Sequence, residues 1–187
     1  MDIFSDSADY SFFLSRLEEY LFPNKSRRAP SAERYERKSF PENSFSLLCY
    51  CLMPNHYHLA IKQNSELPIS ALMLSLTTGY SKYFNKKYRR VGSLFQDQFK
   101  AVHIDSNEQL LWVSAYIHQN PRTAQLVKDP GDYKYSSYSE YTGQTIDKLC
   151  DTDLVLGQFS EKVNYQQFVT DSLESIVNRK GVEGALL

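Results

Sequence analysis

The stretch Cys49–Ile61, CYCLMPNHYHLAI, leaves little freedom in local structure. An apolar run beginning at Phe45 stops at Met53, Pro54-Asn55 interrupts it, and an alternating run carrying His56 and His58 follows. Proline cannot donate to a strand ladder, and Pro-Asn is a turn pair. The break therefore reads as a hairpin between a buried strand Phe45–Met53 and a second strand His56–Lys62. Residues two apart on a strand share a face, so the two imidazoles stand side by side while Tyr57, Leu59 and Ile61 face the other way. Such a pair can hold one divalent metal. It can equally be two polar residues on a solvated strand face.

Helical periodicity brackets the hairpin. Phe13, Leu14, Leu17, Tyr20 and Leu21 form one stripe of a helix over residues 10–22, with Asp9 as its expected N-cap and Pro23 as its end. Residues 23–44 hold three prolines and Arg27, Arg28, Arg34, Arg37 and Lys38, and read as a basic loop. From Pro68 to Arg90, Ile69, Leu72, Met73, Leu76, Tyr80, Tyr83 and Phe84 repeat at three and four. Another face of that helix carries Lys82, Lys86, Arg89 and Arg90, suited to a phosphate backbone or simply to water. Residues 94–104 alternate as a strand would. Ser106 with Gln109 is a capping box opening a helix that Pro121 is expected to stop. On it Tyr116 and Asn120 are four apart and share a face, whereas His118 points away and reads as structural. Beyond lie an irregular aromatic stretch around Ser136-Ser137 and two short acidic helices within 151–178.

Charge sharpens the picture. The net charge of -1 hides an uneven distribution: residues 23–128 carry fifteen bases and seven acids, while the segments before and after are acidic. The part holding both histidines and Tyr116 is thus the basic one, which suits a polyanion partner or simply a solvated surface. Cys49, Cys51 and Cys150 are an odd set without zinc-ribbon spacing, which points to a reducing cytoplasm. The longest apolar stretch is far too short for a membrane span, and the N-terminus lacks a secretory signal pattern.

Two strand histidines plus the Asn120 carboxamide would make a three-donor site with open positions, able to polarise a phosphoryl oxygen. A tyrosine one turn from the third donor would stand near that phosphate. Free tyrosine, with a pKa of about 10, is a poor nucleophile at neutral pH, and a metal-bound phosphodiester offsets this by accepting charge during attack.

Four separate words, Met53-Pro-Asn-His-Tyr-His-Leu59, Gly92-Ser-Leu-Phe-Gln96, Tyr116-Ile-His-Gln-Asn-Pro121 and Asp132-Tyr-Lys-Tyr-Ser-Ser137, resemble in order and spacing the single-tyrosine HUH transposases. Among these the chain is most similar to the REP-associated tyrosine transposases. The resemblance implies an α+β fold, a ferredoxin-like antiparallel sheet with helices on one face, followed by short C-terminal helices. It implies a catalytic domain over residues 1–141 and an acidic extension over 142–187. It further implies a Mg²⁺ or Mn²⁺ ion held by His56 and His58, a nucleophile at Tyr116, and cleavage and transfer of hairpin-bearing single-stranded DNA through a 5′-phosphotyrosine. Asn120 stands where the insertion-sequence branch carries a glutamine ligand. Lys82, Lys86, Arg89, Arg90, Gln96 and Lys100 are then the expected DNA contacts. The expected setting is the bacterial cytoplasm, nucleoid-associated, with the protein a monomer or homodimer and no membrane partner.

The first strand of that family is absent before Ile3-Phe4. The resemblance places it between the 94–104 strand and His56–Lys62, neighbours being only about 4.8 Å apart. Its loss is expected to separate the histidines from the helix of Tyr116, unless an upstream start, another segment or a partner chain fills the slot. Two other functions compete: a relative that binds DNA hairpins without cutting, and a zinc hydrolase using His56 and His58 with His103 or His118.

Overall fold

The computed structural model describes residues 1–24 and 39–184, so the basic residues at 25–38 lie outside the described part. The chain is α+β: a two-stranded antiparallel sheet, helices packed with it, and short C-terminal helices. It divides into two compact units, one of Met1–Ser46 and Ile61–Val102, the other of Leu47–Ala60 and His103–Leu187.

In the first unit, α1 (Ser7–Leu21) packs against α2 (Ile69–Tyr88). Phe13, Leu17, Tyr20 and Leu21 of α1 are buried, as are Leu72, Met73, Leu76, Tyr80 and Phe84 of α2. The N-cap of α1 is Asp6 rather than Asp9. Asp6 accepts the Asp9 N–H, and the Asp9 carboxylate accepts the N–H groups of Ser5 at 2.8 Å and Asp6 at 3.3 Å. This reciprocal box starts the helix earlier than its apolar stripe suggests. Asp9 is fully buried and also accepts from Lys87 Nζ at 2.7 Å, Tyr88 Oη at 2.8 Å and Tyr83 Oη at 3.2 Å. Burial works against its charge, yet the bonds from Lys87, Ser5, Tyr88 and Asp6 outweigh burial and hold its pKa below the usual carboxylate value.

Residues 94–104 form no strand. Alternation alone does not make one. A ladder needs a neighbour, and among the described residues the only sheet is β1–β2. Gln96, Gln98, Phe99 and Lys100 are exposed there, and only Leu94 is buried.

In the second unit the hairpin forms as its sequence dictates, with β1 at Phe45–Met53 and β2 at His56–Gln63. The other edge of β1 is covered by the Ser136-Ser137 segment. The Leu52 N–H donates to the Tyr135 carbonyl at 2.9 Å, the Ser137 N–H to the Tyr50 carbonyl at 3.0 Å, and Cys51 bridges Ser136. Helix α3 spans Asn107–Thr123 and carries Pro121 inside it, buried, rather than ending before it. The missing proline N–H costs one ladder bond near the end of the helix. The last carbonyls are taken up by the Ala124 N–H on Asn120 and the Leu126 N–H on Pro121.

After a 3₁₀ turn at Pro130–Asp132 come α4 (Tyr138–Thr142), α5 (Asp153–Leu156), α6 (Lys162–Asp171) and α7 (Leu173–Gly184). The region 151–178, expected to hold two helices, holds α5, α6 and the start of α7, with Ser172 as the C-cap that separates the last two. One core unites Cys49, Cys51, Met53 and Ala60 of the hairpin with Leu110, Ala115 and Ile117 of α3 and with Tyr141, Val155, Tyr165, Val169 and Ile176.

Candidate active site

The turn end of the hairpin and the half-buried Trp112–Tyr116 face of α3 build the site, and both belong to the second unit. His56 is exposed and His58 half-buried at the start of β2, both on one strand face as their spacing demands. Their ring centroids are 4.9 Å apart and the planes perpendicular. The Tyr116 ring stands edge-on to His58, at 5.5 Å and 85°. Trp112, one turn earlier on α3, stacks on Tyr116 at 5.4 Å and 19°. The histidine pair and Tyr116 are thus together although no third strand flanks β2 among the described residues. The expectation that loss of the first strand would part them is overturned. The shared core of β1, Ile117 and the C-terminal helices carries α3 against the hairpin instead.

The two imidazoles are nitrogen donors of a kind that divalent ions accept. His56 Nδ1 donates to Asn55 Oδ1 at 2.6 Å, which leaves Nε2 as the ring's basic nitrogen. Asn120 is buried and donates its amide N–H to the Tyr116 carbonyl at 2.9 Å, so the atom it offers a cation is Oδ1. Among the described residues no third His, Cys, Asp or Glu joins the pair. Neither remaining histidine is brought in. His103 is exposed and pairs with Asp105 at 2.5 Å. His118 lies in the core, with Nδ1 2.6 Å from Tyr165 Oη and Nε2 2.8 Å from Ser137 Oγ. Burial pushes its pKa down to about 3.

A sequence model of the family described as transposase, IS200 like, matches residues 24–120, just over half of the 187-residue chain. The chain belongs to the IS200-like transposases. Membership brings DNA as partner, DNA transposition as process, and a class of DNA-processing enzymes that generally use a divalent metal. The matched span contains the His56–His58 pair, Tyr116 and Asn120. No curated protein and no solved structure matches the chain significantly.

The residues expected to contact DNA lie in the first unit of the transposase. Lys82, Lys86 and Arg89 are exposed on and just after α2, and Arg89 caps that helix in the left-handed region at φ 50°. Arg90 is half-buried over the Phe84 ring at 5.8 Å. Gln96 and Lys100 are exposed on the irregular segment after α2. Lys87, on the same helix, is committed to Asp6 and Asp9. Sequence reasoning passed over Trp112 and Asn55. The available signals were the four-residue spacing of Trp112 to Tyr116 and the adjacency of Asn55 to His56. No described helix is long and apolar enough to cross a membrane.

Proposed function

We propose that this transposase cuts and rejoins single-stranded DNA beside small hairpins, with Tyr116 as nucleophile and a Mg²⁺ or Mn²⁺ ion held by His56, His58 and Asn120. The observation that carries the reading is the contact of the Tyr116 ring with His58 in a chain of this family. Tyr116 Oη attacks the phosphorus of a phosphodiester and gives up its proton. The Oη–P bond forms as the P–O3′ bond breaks, and the leaving 3′ oxygen is protonated. The product is a 5′-phosphotyrosine and a free 3′-hydroxyl. Attack on that ester by another 3′-hydroxyl reverses the exchange without ATP. A bound divalent ion would withdraw charge from the phosphate oxygens.

In this reading Lys82, Lys86, Arg89, Arg90, Gln96 and Lys100 contact the DNA backbone and neighbouring bases, and half-exposed tyrosines stack unpaired bases. The REP-associated branch is the subtype the four sequence words favour. Residues 1–141 form the catalytic part and 142–187 the extension. The protein acts as a monomer or homodimer at the bacterial nucleoid. The test is incubation with a hairpin-bearing single-stranded oligonucleotide and Mn²⁺. An SDS-stable protein–DNA adduct that EDTA abolishes supports the proposal; no adduct with any divalent ion, despite retained hairpin binding, refutes cleavage.

A further inference from the structure

Tyr116 has two aromatic neighbours, and only one of them belongs to the proposed donor set. His58 meets its ring edge-on at 5.5 Å, and Trp112 covers it in a stack at 5.4 Å and 19°. Trp112 and Tyr116 are four apart on α3, the spacing at which side chains of a helix meet. Both rings are half-buried and pack against the core of the second unit. Without such a neighbour, a tyrosine on a helix face exchanges between staggered side-chain positions, whereas the contact with His58 belongs to the one the structure shows. An offset stack removes that freedom. A nucleophile held in one position reacts faster than one that must find it.

We infer that Trp112 is a positioning residue, whose indole holds the Tyr116 ring against His58 ready for attack. It touches neither the phosphate nor the ion, and acts through Tyr116. This rests on the reading of Tyr116 as nucleophile. Trp112 is the single tryptophan of the chain, so its emission reports on the stack directly.

Two measurements test the inference. In metal-free, DNA-free protein, Tyr116→Leu should change the intensity and wavelength of Trp112 emission; an unchanged spectrum overturns the stack. In single-turnover reactions with saturating oligonucleotide and Mn²⁺, Trp112→Leu should slow adduct formation about three- to tenfold, the range an aromatic pair supports, with oligonucleotide Kd unchanged. Trp112→Phe, which keeps a flat ring and a smaller perturbation of the fold, should recover most of the rate. Equal rates for wild type and Trp112→Leu overturn the inference while leaving the nucleophile in place. So does a loss confined to Kd, which would make Trp112 a platform for DNA bases. So does a Trp112→Phe rate as low as that of Trp112→Leu. A wild-type protein that forms no adduct removes the nucleophile reading itself, and the inference with it.

Discussion

Four rings run in sequence from His56 through His58 and Tyr116 to Trp112, each within 5.5 Å of the next. At this scale every residue has a separable task. The two imidazoles are nitrogen donors, Asn55 accepts from Nδ1 of His56, and Asn120 donates its amide N–H to the Tyr116 carbonyl of its own helix. His56→Ala or His58→Ala should therefore lower adduct formation by at least tenfold while changing hairpin Kd less than threefold, because cationic contacts to the backbone dominate affinity (about one to two kcal/mol against well under one). Parallel cleavage and gel-shift assays check this, and equal losses in both would mean that the histidines contact DNA or hold the fold. Tyr80 and Tyr83 of α2 are engaged elsewhere. Tyr80 is fully buried with its hydroxyl on the Ile3 carbonyl, and Tyr83 donates to Asp9.

Among the elements, α2 has an apolar face and an exposed basic one. Its apolar face packs on α1, and Lys82, Lys86 and Arg89 remain exposed. Replacing any one of these three with glutamate should weaken binding to all single strands alike and reduce the salt slope of log K by roughly 0.7 per lost phosphate contact. Titrations at three salt concentrations check this; an unchanged slope returns the face to mere solvation. Lys87→Glu is the informative contrast, since that lysine serves Asp6 and Asp9 and its loss should appear as instability. The hairpin, the stripe of α2 and the Ser106 cap were legible because each depends on neighbours in sequence. What escaped depends on distant ones. The bonds of Lys87 to Asp6 span 81 residues, and His118 meets Tyr165 across 47. The 94–104 alternation failed for the same reason, a strand being defined by its partner. Asp9 was misread because both it and Asp6 can cap, and only the fold of the Ser5–Asp9 backbone chooses between them.

Across the whole molecule, His118 is where α3, the β1 edge and the C-terminal helices are tied together. It bonds Ser137, which accepts the Tyr50 N–H at 2.9 Å, and Tyr165 of α6. Its folded pKa of about 3 lies below the ordinary 6.5. The unfolded chain therefore takes up a proton first as pH falls. Stability is full above pH 6.5 and declines from there toward pH 3, with a slope of up to about 1.4 kcal/mol per pH unit from this group. Asp9, with its lowered pKa, adds its loss only below the ordinary carboxylate value of 3.8. Glu140, raised by burial, acts in the opposite direction, so the comparison must be made against a variant. Urea denaturation between pH 7 and 4 should show a steeper decline for wild type than for His118→Gln; parallel curves would contradict the buried neutral imidazole. The central claim, that this IS200-like transposase works through Tyr116, is tested most directly by locating the covalent link. The adduct formed with Mn²⁺ and a hairpin oligonucleotide is digested with nuclease and protease and sequenced by mass spectrometry. The account predicts a nucleotide 5′-phosphate on Tyr116 and no adduct from Tyr116→Phe at undiminished hairpin binding. A nucleotide on any other residue, or an undiminished adduct from Tyr116→Phe, would contradict it.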